Sequence, residues 1–183
     1  KKAVALPAVY YAGDEALRKD ARRLGRGSQP KAVAQALLTA VRRGLPAKVG
    51  GKTAAGKKPW VNLRPAGKHK RGELYTAAQL WDALNGERPV TVLSYELACV
   101  YLALARAAGL KAVLAEIYRH TNAQGPADPS GYVGHFGVAV YTGPKYTGRP
   151  ALVVDPARGT LDKAKEFEVL TDLRAAAHGL SLH

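Results

Sequence analysis

The sequence predicts an α+β protein, and three observations carry that expectation. Helix-patterned segments fill the first half of the chain, a longer helical segment opens the second half, and strand-patterned runs divided by turn residues follow it. Such an order gives helices packed on an antiparallel meander of at least three strands.

The first element is DEALRKDARRL, Asp14 to Leu24, with helical spacing, acids early and bases late as the helix dipole prefers, and Gly25 as its stop. Ser28 followed by Pro30 starts a second helix, which runs through KAVAQALLTAVRR to Gly44. The next stretch, Lys48 to Arg71, is rich in Gly and basic residues, contains no acid, and reads as a long loop or arm that Trp60 tacks to the core. Thr76 is the expected N-cap of AAQLWDALN, with Gly86 just past its end. After ERPVTVL comes SYELACVYLALARAAGL, a helix from Ser94 to Ala108 stopped by Gly109. Three strands are expected beyond it: KAVLAEIY (Lys111–Tyr118), HFGVAVYT (His135–Thr142) and PALVVDP (Pro150–Pro156), with GPKYTG as a hairpin turn region. From Phe167 the chain reads as a short strand or turn and then a helix. The expected organisation is one compact unit: residues 1–75 form a helical part with a basic loop over 48–72, and residues 76–183 form the core.

Composition narrows the class. With 183 residues and 47% hydrophobic residues, the chain can bury a core. No apolar run approaches the roughly 20 residues of a membrane span, and the opening KKAVALPAVYY lacks the regions of a signal peptide. The absence of Met, and an end at DLRAAAHGLSLH within a helix-like stretch, suggest an excised or processed fragment. Localisation is accordingly left open between cell envelope or periplasm and cytoplasm, and so is the oligomeric state. A single Cys excludes an internal disulfide and a Cys-rich metal site. The net charge of +14 can attract an anionic polymer, and Lys57, Lys58, Lys68, Lys70 and Arg71 are the residues to carry that contact. The simpler reading of the same stretch is a solvated basic loop.

The chemistry turns on Ser94 and Cys99. A hydroxyl or thiol nucleophile works best at a helix amino end, where unpaired N–H groups stabilise negative charge on it or on an oxyanion. Ser94 occupies that position. Cys99 lies five residues on, roughly 140° around the helix, among Leu97, Ala98, Val100 and Leu102, and is expected to be core. Ser94 could serve simply as a cap. Its company points further: His135 starts the second strand in YVGHFGVAV, and Asp155 ends the third in LVVDP. Neighbouring antiparallel strands can set that imidazole and carboxylate side by side, with the carboxylate fixing the ring tautomer. His120, in EIYRHTN, is the rival imidazole and is expected at the surface. His120, His135 and Asp155 lack the close ligand spacing of a zinc site, so no metal and no cofactor are expected.

Ser94 through Gly109, followed by GHFGVAV and VVDP, resembles the transglutaminase-like core, a papain-like thiol fold. In that family a Cys opens a helix ending in an Arg-Ala-x-Gly-Leu/Ile pattern, which ALARAAGL (Ala103–Leu110) matches. The likeness runs from Val92 to Gly159, and order and spacing carry it rather than any single motif. It implies a triad of Ser94, His135 and Asp155 acting on an amide of a peptide or protein, with a covalent acyl intermediate passed to water or to an amine. His135 would be the general base and acid and Asp155 its orienter. The backbone N–H of residue 94 would form half of an oxyanion hole, with Gln79 or Trp81 as candidates for the second donor. Glu96 is taken as structural. The departure is Ser94 where the family has Cys. A deliberate Cys-to-Ser replacement, a natural pseudoenzyme that binds without cutting, and a serine acyl-transfer enzyme are the three readings, the last disfavoured because a hydroxyl ionises poorly.

Overall fold

A computed structural model describes residues 14–27, 29–43, 76–86, 94–120, 135–143 and 148–170, although not the side chains of Arg119 and His120. Within these residues lie α1 (Glu15–Leu24), α2 (Pro30–Arg43), α3 (Ala77–Asn85) and α4 (Ser94–Ala107), then β1 (Lys111–His120), β2 (Phe136–Tyr141), β3 (Leu152–Asp155), β4 (Thr160–Leu161) and β5 (Ala164–Val169). The class is α+β: four helices and a curled five-stranded antiparallel sheet.

The helix ends follow local chemistry. Asp14 caps α1, its carboxylate accepting from the N–H groups of Ala16 and Leu17. Thr76 caps α3 through a reciprocal box, its hydroxyl accepting from Gln79 N–H while Gln79 Oε1 accepts from Thr76 N–H. Gly109 ends the α4 region at φ +87°, a conformation that costs a side-chain-bearing residue steric energy.

Helix α4 is the axis of the packing. Every residue from Tyr95 to Ala105 is buried, the pattern of a helix surrounded on all sides. Helices α1, α2 and α3 pack against it on one side, and β1 and β2 on the other. One apolar cluster runs through all of these elements, from Leu17 and Leu37 through Leu80 and Leu102 to Leu114, Val138 and Val154. Polar ties pin the layers. Tyr101 Oη donates to Ala34 C=O at 2.9 Å inside the core, joining α4 to α2. Trp81 Nε1 donates to Asp20 Oδ2 at 3.1 Å, joining α3 to α1. Arg106 Nε donates to Ala112 C=O at 2.9 Å, fixing the turn from α4 into β1.

The sheet order is β4-β3-β2-β1-β5. Strands β1 to β4 form a meander, and β5 returns to pair with the free edge of β1. Ala112, Leu114, Val138, Val140, Leu152 and Val154 belong to the main core, in register across three strands. Ala115, Ala139 and Tyr141, with Val113, Phe167 and Val169, form a second, smaller cluster. Near the β1–β5 seam Tyr118 Oη lies 3.3 Å from Glu116 Oε2 and 3.1 Å from Glu168 Oε2. Burial and the two carboxylates push its hydroxyl up to about 12.

Differences from the sequence expectation concentrate at the end of β1. The strand continues two residues past Tyr118 to His120, which pairs with Ala164, because β5 supplies hydrogen-bond partners there. β4 is a two-residue addition, and β5 begins before Phe167, at Ala164. The second strand starts at Phe136, with His135 just ahead of it. Residues 44–75 and 171–183, which hold the expected basic arm and final helix, lie outside the described set.

Candidate active site

His135 and Asp155 meet. Nε2 of His135 lies 2.6 Å from Oδ2 of Asp155, and both residues are buried, at 2% and 1% exposure. β2 and β3 pair antiparallel from Val138↔Val154 to Val140↔Leu152, which brings the start of one strand to the end of the other. His135 is anchored to the sheet by its carbonyl, which accepts from Ile117 N–H at 2.8 Å. A carboxylate only accepts, so against an ionised Asp155 the ring's Nε2 is the donor and Nδ1 is the nitrogen left over from that contact. This reverses the serine-protease arrangement, in which the carboxylate takes Nδ1.

The carboxylate is positioned in its turn by the tight turn that follows β3. Arg158 N–H donates to Asp155 Oδ1 at 3.0 Å, and Arg158 Nε lies 3.8 Å from Oδ2. The turn is held from outside by Arg42 of α2, whose Nη1 donates to Ala157 C=O at 2.8 Å. Gly137 lets β2 approach this closely: a Cβ there would lie 2.5 Å from Val154 O and 2.6 Å from Ile117 Cδ1.

Ser94 is the first residue of α4. The next residue, Tyr95, packs edge-on against Phe136, the residue after His135, with ring centroids 5.2 Å apart and planes at 86°. That contact joins the amino end of α4 to the start of β2. The helix terminus therefore adjoins the strand end that carries the imidazole.

Cys99 is core. It is 1% exposed, and burial in apolar surroundings pushes its thiol far above the ordinary range, with Glu96 adding to the rise. Glu96 is buried in the first turn of α4. The two candidates for a second oxyanion donor have structural partners: Gln79 closes the capping box of α3, and the Trp81 N–H is directed at Asp20. His120 ends β1, and its side chain lies outside the described set. Lys57, Lys58, Lys68, Lys70 and Arg71 also lie outside it. Among the described residues no three His, Cys, Asp or Glu side chains are grouped to hold a metal ion, and no helix is long and apolar enough to cross a membrane.

Sequence reading did not single out Arg158, Gly137 or the Tyr95–Phe136 pair. Arg158 had a signal, since an Asp three residues before it in DPARG is a side-chain-to-backbone turn pattern. Gly137 and the ring pair had none, because both are defined by neighbours distant in sequence. Compared with known proteins, the chain matches no family model, no curated protein and no solved structure.

Proposed function

We propose that residues 76–183 form a transglutaminase-like acyl-transfer site whose nucleophile position is occupied by Ser94, with His135 and Asp155 as its base and orienter. The observation that carries this reading is the buried 2.6 Å His135–Asp155 contact beside the amino end of a helix. In the proposed step the nucleophile at position 94 attacks an amide carbonyl carbon and His135 Nδ1 takes its proton. The helix N–H groups stabilise the resulting oxyanion, and collapse expels the amine, which collects the proton from His135. Water or a second amine then releases the acyl group by the same path. Serine at this position makes the step slow, because a hydroxyl next to an imidazole ionises far less than a thiol. The serine favours a second reading, a binding module that grips peptide, glycan or polyanion without cutting.

The test is Ser94→Cys. On the acyl-transfer reading the variant hydrolyses or transfers peptide amides, iodoacetamide abolishes the activity, and adding His135→Ala lowers it by roughly 10²–10⁴-fold. An inert variant whose new thiol titrates near the ordinary 8.5 of free Cys would remove the enzyme reading and leave the binding module.

A further inference from the structure

Behind Asp155, on the side of the tight turn that faces α2, two shallow grooves of about 430 and 500 Å³ adjoin, sharing Gln35 and Gly159 in their walls. Arg42, Arg43 and Arg158 line one; Lys31 and Lys163 line the other. Five cations thus converge from two chain segments more than a hundred residues apart, against Asp162 in the wall and the buried Asp155 behind Arg158. The helix dipole explains bases in the last turn of α2. It does not explain why the segments on either side of β4 bring Arg158 and Lys163 to the same place.

Two of the guanidiniums are set in advance. Arg42 is held flat on the turn by its bond to Ala157 C=O, and Gly159 makes room for it, since a Cβ there would come within 3.1 Å of Arg42 Nε. The Arg158 guanidinium is drawn to Asp155, its Nε 3.8 Å from Oδ2, above a main chain whose own N–H bonds Oδ1. Guanidinium groups whose position is fixed beforehand lose little freedom on binding an oxyanion and offer it paired N–H donors.

We infer that this double groove is a binding site for a ligand carrying two or more phosphate-class oxyanions in a row, one bound by the arginines of the first groove and another by Lys31 and Lys163. A single phosphate fills only a fraction of either groove, and the cations are spread along both. The inference is independent of acyl transfer and concerns other residues than the basic stretch at 48–72.

Tripolyphosphate, titrated calorimetrically into the full chain at about 0.1 M salt where the Debye length is near 10 Å, is the probe, with orthophosphate at matched ionic strength for comparison. The expected result is saturable binding of tripolyphosphate, at least about tenfold tighter than orthophosphate. Arg43→Glu and Lys163→Glu, both at exposed positions, should each weaken it about fivefold or more. Lys19→Glu, an equal charge change on exposed α1, should alter it less than twofold. Backbone amide shifts on titration should move in residues 35–43 and 158–163. Equal weakening by all three variants would show that the overall +14 field does the binding and would overturn the site. So would unsaturable binding, parity between tripolyphosphate and orthophosphate, or shifts scattered over the surface.

Discussion

Ser94 and Cys99 share one helix and face opposite surroundings. Ser94 sits at the terminus, half-buried, one residue before the Tyr95 that packs on Phe136; Cys99 is enclosed more than one turn deeper with its thiol held protonated by burial. Cys99→Ala should therefore leave any activity of the Ser94→Cys protein unchanged and lower stability by about 1 kcal/mol, as a small buried group removed from a packed core does. Chemical denaturation paired with an amidase assay checks both halves. A large loss of activity with little loss of stability would move the chemistry to Cys99. His135 and Asp155 belong at the same scale. Their contact is short and excludes solvent, so each is positioned by the other rather than by water.

At the scale of elements, what matters is how closely segments approach. Gly137→Ala places a Cβ against the Val154 carbonyl, and a backbone atom cannot turn aside. β2 and β3 must separate, which should cost about 1–3 kcal/mol and lengthen the His135–Asp155 contact. A lower midpoint in urea, together with a changed imidazole resonance for His135, is the expected pair of readouts. The α1–α3 tie gives a pH prediction. The hydrogen bond from Trp81, with help from Arg23, holds the Asp20 carboxyl below its ordinary value, against some desolvation. A carboxyl depressed in the folded state adds stability that is complete above its unfolded value near 3.8 and is lost as the pH falls through the lower folded value. Trp81→Phe should lower stability by about 1 kcal/mol at neutral pH, as loss of a partly exposed hydrogen bond does. The gap from the parent should narrow below pH 4. A gap independent of pH would mean that Trp81 contributes by packing alone.

The whole molecule carries +14 charges on 183 residues, and that surplus repels itself. Raising the ionic strength from about 0.01 to 0.15 M shortens the screening length from about 30 to 8 Å. The melting temperature should accordingly rise over that range, and sulfate or phosphate salts should raise it further if the arginine groove takes up the anion. A melting temperature that falls with added chloride would show that attractive ion pairs outweigh the net repulsion.

Most of the helical architecture was legible in the residues. Thr76, Gly25, Gly86 and Gly109 act within their own turns, so the cap and stops they predict are those the structure contains, while Asp14, read as the first helical residue, is the N-cap of α1. The cores of β1, β2 and β3 were legible for the same reason, since short runs of strand-forming residues bounded by turn residues are a local pattern. β5 was less so. AKEFEV does alternate, but it borders polar residues and becomes a strand by pairing with a β1 edge some fifty residues earlier in the chain. The candidate site divides in the same way. A Ser opening a helix, a His opening a strand and an Asp closing one could each be named from the sequence.

The sequence by itself determined the helix limits, the α+β order and the residue types at three strand and helix ends, because each depends on interactions within a few residues. Only the tertiary structure decided that His135 touches Asp155, that Arg158 and Arg42 support the carboxylate's turn, that Gly137 is a point of close approach, and that arginines from α2 face the β3–β4 turn. Those outcomes depend on sheet register and on the packing of helices around α4, which join residues tens to more than a hundred positions apart and leave no periodic trace in the chain.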